Sequence, residues 1–310
     1  MSGRAQTGST AVPAHGQSPP PRGLLAVFAH PDDESFSSGG VLALAAAGGY
    51  PVHLVCATDG DLGGGEGARE LDPELRRGEL RQAAEALGIA APIFLGYGDS
   101  GMEGWEKPAG CLALADPAEV TARLAAVIRD VRPAVVLTFD PGGVYGHPDH
   151  VAVSAHATAA FRVTAGEPGG PRVLYHKALA RSDVTRMGEL DAAWRALSGE
   201  EPRASTEDDL LQQRRLLELA RPDEQITTVV DVRAVIERKL AALASHASQV
   251  EARRWDQAPR ELLVAWLGRE TFVRVVPPPA AGERETALRG LDGTWQGAGP
   301  LPSHPGGRPR

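Results

Sequence analysis

Cysteine is scarce. The 310-residue chain holds two, Cys56 and Cys111, far apart and without a Cys-x-x-Cys spacing, which argues against a disulfide framework. Cys56 lies inside an apolar run and reads as a buried core thiol. Positive charge is also short: the net charge is −8, and pairs such as Arg76-Arg77 and Arg253-Arg254 are brief and flanked by acids. With no basic block or stripe, nucleic acid and anionic membrane are not expected as partners. No window approaches the roughly 20 apolar residues of a membrane helix, so no membrane insertion is expected. Residues 1–22 are rich in Gly, Ser, Pro and Ala with no apolar segment; no secretion signal is expected there, and the expectation is a soluble cytoplasmic protein. There is no internal repeat.

What is present is alternation. At 42% apolar residues the chain can fill a sizeable core. Short apolar runs at Gly23–His30, Pro51–Thr58, Pro92–Tyr97, Ala134–Asp140 and Arg172–Ala178 read as buried strands. Between them, Asp33–Gly48, Pro73–Leu87, Pro117–Val131 and Pro148–Thr164 carry helical spacing with Pro or Asp at their starts. Asp59–Gly67 and Asp99–Asp116 read as loops. Strand–helix alternation predicts an α/β fold: a Rossmann-like, doubly wound, mostly parallel sheet with helices on both faces. Beyond residue 180 the pattern loosens, with helices expected at Asp208–Leu219 and Ala234–Gln249 and strands at Gln225–Val232 and Glu270–Val276. These read as a C-terminal α/β extension that closes over the same core. The expected organisation is a disordered tail over 1–22, one domain over 23–276, and a disordered Pro/Gly-rich tail over 277–310. The pattern leaves the oligomeric state open.

Two clusters carry chemistry. Phe28-Ala29-His30-Pro31-Asp32-Asp33-Glu34 ends the first strand, and Tyr145-Gly146-His147-Pro148-Asp149-His150 follows the fourth. In the strand order 3-2-1-4-5 the winding reverses between strands one and four, and ligands bind at that point. Topology therefore predicts that His30, Asp32 and Asp33 face Tyr145, His147, Asp149 and His150 across one crevice.

Histidine and carboxylate are good zinc ligands, and a catalytic zinc needs about three of them plus one position left for water. His30 and Asp33 are spaced for a turn that opens a helix. One histidine of the second cluster completes the set, and spacing does not choose between His147 and His150. Asp32 is free to act as base toward a water activated by the metal. The remaining histidine, oriented by Asp149, is placed to stabilise charge or donate a proton, and Tyr145 to hydrogen-bond an oxyanion. Iron or cobalt fits the same donor set. His53, His156, His176 and His246 stand alone on apolar or helical stretches and read as packed or solvated. Two other classes fit less well. An aspartyl phosphoryl-transfer site favours carboxylates two apart, whereas Asp32 and Asp33 are adjacent. A dinucleotide module wants Gly-x-Gly-x-x-Gly after strand one, where this chain has His-Pro-Asp-Asp.

The segments Ala29–Glu34 and His147–His150 resemble those of the zinc-dependent N-acetylglucosamine deacetylase family, called LmbE-like or PIG-L-like. Its bacterial members include deacetylases and amidases of mycothiol and bacillithiol metabolism. Thr58-Asp59-Gly60, Arg76-Arg77-Gly78-Glu79-Leu80, Asp99-Ser100-Gly101-Met102 and His246-Ala247-Ser248-Gln249 are also similar to family segments. The resemblance implies His30, Asp33 and His150 as zinc ligands and Asp32 as general base. It implies that His147, held by Asp149, stabilises the intermediate or acts as acid, and that Tyr145 polarises the carbonyl. Arg76 and Asp99 match sugar-contacting positions. The implied reaction is removal of an N-acetyl group from an N-acetylglucosamine conjugate, a small-molecule partner. The alternative is an amidase for a larger thiol S-conjugate, which would need a more open crevice around Trp105.

Overall fold

The run Leu24–Phe28 forms β1 and is buried along its whole length. Continuous apolar residues without polar alternation suit a strand covered on both faces. The computed structural model describes residues 22–64, 71–198, 214–249 and 258–291. After β1 come α1 (Asp33–Ala47), β2 (Val52–Thr58), α2 (Pro73–Leu87), β3 (Ile93–Tyr97), α3 (Pro117–Val131), β4 (Val135–Phe139), α4 (Pro148–Thr164) and β5 (Val173–Lys177). These match the expected elements within a residue or two. Helices α2 and α3 start as their sequences require: proline in the first turn, and an Asp cap accepting from the backbone two residues on, Asp72 from Glu74 and Asp116 from Ala118.

The sheet order is β3-β2-β1-β4-β5-β7-β6. Strands β1 to β5 run parallel. Strand β7 (Arg269–Val276) is antiparallel to β5 and to the edge strand β6 (Thr228–Asp231). The winding reverses between β1 and β4, so their carboxyl ends open the expected crevice.

The extension joins this core. Helix α6 (Ile236–Ser245) packs on α1 and α2. Its Lys239 pairs with Glu270 of β7 at 2.6 Å, with both side chains buried. Glu270 also accepts from the backbone of Gly40 and Val41 in α1. Removing one partner of such a pair strands a buried charge and costs about 3–5 kcal/mol.

The sequence pattern was less informative here. Helices α5 (Arg181–Ser198) and α7 (Arg260–Leu267) were not expected. α5 is largely exposed, so burial imposes little apolar periodicity on it. The helix expected over Ala234–Gln249 is a 3-10 turn at Arg233–Val235 followed by α6, and ends before His246. Residues 214–219 are helical, while the start of the expected Asp208–Leu219 helix lies outside the described residues. The expected tail from residue 277 is corrected over 277–291. Leu288 and Leu291 are buried in the main core, and Glu285 accepts from the Tyr175 hydroxyl at 2.7 Å. Pro/Gly richness there marks an extended segment packed on the sheet. The remaining tail residues, 1–21 and 292–310, lie outside the described residues.

Candidate metal centre

The chain turns sharply after β1. Asp32 adopts φ 129°, and Val144, before Tyr145, adopts φ 64°. Neither residue favours positive φ, and such strain collects at functional sites. The first turn is closed by His30 N–H donating to Asp33 Oδ2 at 2.7 Å. Helix α4 begins at Pro148, with the His147 ring capping it: Nδ1 accepts from Asp149 N–H at 3.2 Å. The two clusters meet as the topology requires.

Two ring nitrogens and the two oxygens of one carboxylate converge. His30 Nδ1 lies 3.2 Å from His150 Nε2. His150 Nε2 lies 3.2 Å from Asp33 Oδ1, and His30 Nδ1 lies 3.4 Å from Asp33 Oδ2. Around a tetrahedral ion with bonds of about 2.0–2.2 Å, ligand atoms sit roughly 3.3–3.6 Å apart. The separations within this triangle of side chains match those between ligands that share one ion. The His150 ring is held by parallel stacking on Phe139, centroids 4.0 Å apart. His30, His147 and His150 are also close enough together to share an ion. His147 Nε2 lies 3.9 Å from Asp99 Oδ1, and no ion pair joins His147 to Asp33 among the described residues, whereas His150 Nε2 lies 3.2 Å from Asp33 Oδ1.

A chain of hydrogen bonds runs behind His30. Its Nε2 lies 3.2 Å from Asp149 Oδ2; a neutral ring donating there would turn its Nδ1 lone pair toward Asp33 and His150. Asp149 is fully buried, and its carboxylate accepts from Ser100 N–H at 2.8 Å and from the Ser100 hydroxyl. A carboxylate behind a ligand histidine is the usual support of a metal site. The sequence reading had Asp149 holding His147. Its carboxylate is nearer His30, being 4.0 Å from His147 Nδ1, and only its backbone N–H engages His147. Ser100 was not singled out, because nothing local in the sequence links it to Asp149. Asp149→Ala is expected to weaken metal affinity by about 10–100-fold, as losses behind a ligand do. Metal titration of the purified variant checks this, and an unchanged affinity would remove Asp149 from the support role.

Asp32 lies beside the triangle with its carboxylate 34% exposed to the cavity. Burial pushes its pKa up to about 6, against the pull of Arg76 and with help from Asp33. Arg76 donates to Asp32 at 2.9 Å and also to the carbonyls of Pro31 and Gly60. Gly60, at φ +64°, has no Cβ to collide with that guanidinium. Arg76 is thus buried and braces the proposed base. Behind Asp32, Glu34 accepts from the buried His246 at 2.9 Å. His246, which reads as merely packed in the sequence, belongs to the wall of the site; its signal was the His246–Gln249 segment.

The surrounding charges favour a cation. Burial alone would lower His30, but Asp99, Asp149 and Asp33 raise it well above its ordinary value. Burial alone would raise Asp33 and Asp99. His150 and His30 hold Asp33 far down, and His30 with the Gly101 N–H holds Asp99 below the usual carboxylate range. His147 is different: burial, then His30 and His150, lower it to about 3. It is a neutral ring with Nδ1 accepting, so Nε2 carries the proton. Tyr145 has its ring centroid 4.9 Å from that of His150. Burial and Asp33 push its phenol pKa up, which keeps it a neutral donor. All these groups except Asp149 line one cavity of about 670 Å³, which extends past Trp105 toward Lys177.

Comparison with known proteins accords with this geometry. Residues 25–161 match the family model of the GlcNAc-PI de-N-acetylase PIG-L. A 1D-myo-inositol 2-acetamido-2-deoxy-α-D-glucopyranoside deacetylase of Rhodococcus opacus is 40% identical over 256 residues, covering 74% of this chain and 82% of that protein. The chain belongs to the PIG-L family. A protein of the same description from Rhodococcus jostii is 37% identical, covering 87% of this chain and 97% of its own. Among solved structures, the conserved protein TT1542 from Thermus thermophilus gives a TM-score of 0.53 at 24% identity, covering 83% of this chain and 96% of its own. The N,N'-diacetylchitobiose deacetylase of Pyrococcus horikoshii gives 0.53 at 22%, covering 83% and 84%. These two share the fold. The PIG-L match includes both histidine clusters, Arg76 and Asp99. No helix among the described residues is long and apolar enough to cross a membrane.

Proposed function

We propose that this PIG-L protein is a zinc-dependent hydrolase that removes the acetyl group from an N-acetylglucosamine conjugate. The observation that carries the reading is the His30–Asp33–His150 triangle with Asp32 exposed beside it. The descriptions of the Rhodococcus relatives support an amino-sugar substrate, and the cavity has room for a glycoside.

His30, Asp33 and His150 would hold a divalent ion, which would supply Lewis acidity toward the attacking water and the amide carbonyl; iron(II) or cobalt(II) would use the same ligands. Asp32 takes a proton from the water as its oxygen adds to the carbonyl carbon. Tyr145 donates its O–H to the carbonyl oxygen as negative charge develops there. His147, neutral, donates its Nε2–H to the same oxyanion. Asp32 then returns its proton to the amide nitrogen, the C–N bond breaks, and acetate and a primary amine leave. Asp99 and Arg76 line the cavity and are assigned to the sugar, with Arg76 also bracing Asp32.

The test is a comparison of two substrates with purified protein. N-acetylglucosaminyl-inositol should yield acetate and a primary amine, while a bulky thiol S-conjugate should be cleaved far more slowly. Faster cleavage of the S-conjugate would turn the assignment to an amidase.

A further inference from the structure

The proposed base is carried on strained backbone. Asp32 sits at φ 129° and ψ −29°, a combination that a residue with a Cβ keeps only where its surroundings fix it. Rotation about φ turns the Pro31–Asp32 peptide plane against the rest of Asp32, so keeping this φ means gripping that plane. Both of its polar ends are taken. The Pro31 carbonyl accepts from Arg76, and the Asp32 N–H donates to Glu34 Oε2 at 3.1 Å. Glu34 folds back on the helix start as the acid of a capping box does. On the other side, the Asp32 carbonyl accepts from Ser35 N–H at 3.0 Å and Phe36 N–H at 3.1 Å. Without Glu34 the plane could turn to an ordinary negative φ, and the Asp32 carboxylate would swing out of line with the triangle.

Glu34 is held in turn from the far end of the chain. Its Oε1 lies 2.9 Å from His246 Nε2 and accepts from the Ser35 hydroxyl. Glu34 and His246 are each 1% exposed. His246 Nδ1 is buried with no hydrogen-bond partner among the described residues, so the polar contacts of the ring lie at the Glu34–Ser35 end. An unpaired buried nitrogen opposes folding, and a position with no other duty would favour an apolar side chain. The turn that carries His246 is fastened to α2: Ser248 donates its N–H to Glu79 Oε1 at 2.7 Å and its O–H to Glu79 Oε2 at 2.6 Å. Glu79 stands one turn after Arg76 on that helix. A closed circuit thus surrounds the base. It runs from Asp32 to Arg76, along α2 to Glu79, across to Ser248, and back through His246 and Glu34 to the Asp32 N–H. No side-chain hydrogen bond or ion pair joins Glu34 or His246 to His30, Asp33 or His150 among the described residues, so the circuit serves the base and not the triangle.

We infer that Glu34 and His246 are positioning residues for the reaction: they hold the Pro31–Asp32 peptide in the orientation that aims the Asp32 carboxylate at the attacking water. This rests on the deacetylase reading above and adds to it the side chains that aim its base. The test is a double-substitution cycle on N-acetylglucosaminyl-inositol, with metal content, circular dichroism, kcat and KM measured for each purified protein. His246→Leu removes the donor and fills its space. It should keep its metal and its KM and lose kcat by about 10–100-fold, the scale of loss from a displacement of about 1 Å. His246→Gln, whose amide can donate to Glu34 from the same place, should stay within a few-fold of the native kcat. In the Asp32→Asn background His246→Leu should cost no more than about two-fold, because aim has no effect once the base is gone. A histidine with a merely structural role would lower the rate by the same factor in both backgrounds. That result, metal loss in His246→Leu, or a change confined to KM overturns the positioning role while leaving deacetylation standing. If His246→Leu does not fold, Ser248→Ala loosens the same turn and carries the cycle: a kcat loss in the native background that vanishes in Asp32→Asn supports the role, and an equal loss in both overturns it. Absence of acetate release from the native protein overturns the deacetylase reading and the positioning role together.

Discussion

Asp32→Asn should keep its metal and lose turnover by about 10²–10⁴-fold, the usual loss with a general base. The substitution preserves shape and the hydrogen bond from Arg76 but removes the proton acceptor. Asp32 is not a corner of the ligand triangle, so occupancy should match the native protein. The base works only when ionised. The native rate should therefore fall as pH drops through the pKa of Asp32, and that acid limb should be missing from the variant. Metal analysis beside kcat/KM against pH reads both effects. Loss of metal in Asp32→Asn would make Asp32 a ligand, and a rate within a few-fold of native would remove it from the chemistry.

The two histidines of the second cluster should separate completely. His150→Ala removes a corner of the triangle and should lose metal and activity together. His147→Ala should retain the metal, because His147 Nε2 lies 3.9 Å from Asp99 Oδ1 and no ion pair joins His147 to Asp33 among the described residues. Its turnover should fall by about 10²–10³-fold, as for loss of one oxyanion donor. Inductively coupled plasma analysis of both proteins, with circular dichroism as a fold control, decides the matter. Metal loss in His147→Ala with retention in His150→Ala would exchange their roles.

The legible parts of this molecule are those where one residue type has one physical use. A continuous apolar run such as Leu24–Phe28 is a buried strand, and proline after Asp72 or Asp116 is a helix start. Histidine and aspartate at the ends of strands one and four meet because a doubly wound sheet brings those ends together. The partners behind the site were less legible. Ser100 reaches Asp149, and Glu34 reaches His246, across long stretches of chain, and no spacing rule connects them. Arg76, which the resemblance puts against the sugar, is also buried and bonded to Asp32. Helix α5 escaped because an exposed helix needs no apolar stripe.

The most direct test of the central claim is acetate release from N-acetylglucosaminyl-inositol before chelation, after chelation, and after zinc is returned. The triangle lies at the rim of a sheet whose core is apolar without it, so a metal held there is expected to serve catalysis and not folding. The account predicts about one metal ion per chain, loss of release on chelation with an unchanged circular dichroism spectrum, and recovery with one equivalent of zinc. Full acetate release by the metal-free protein would contradict it.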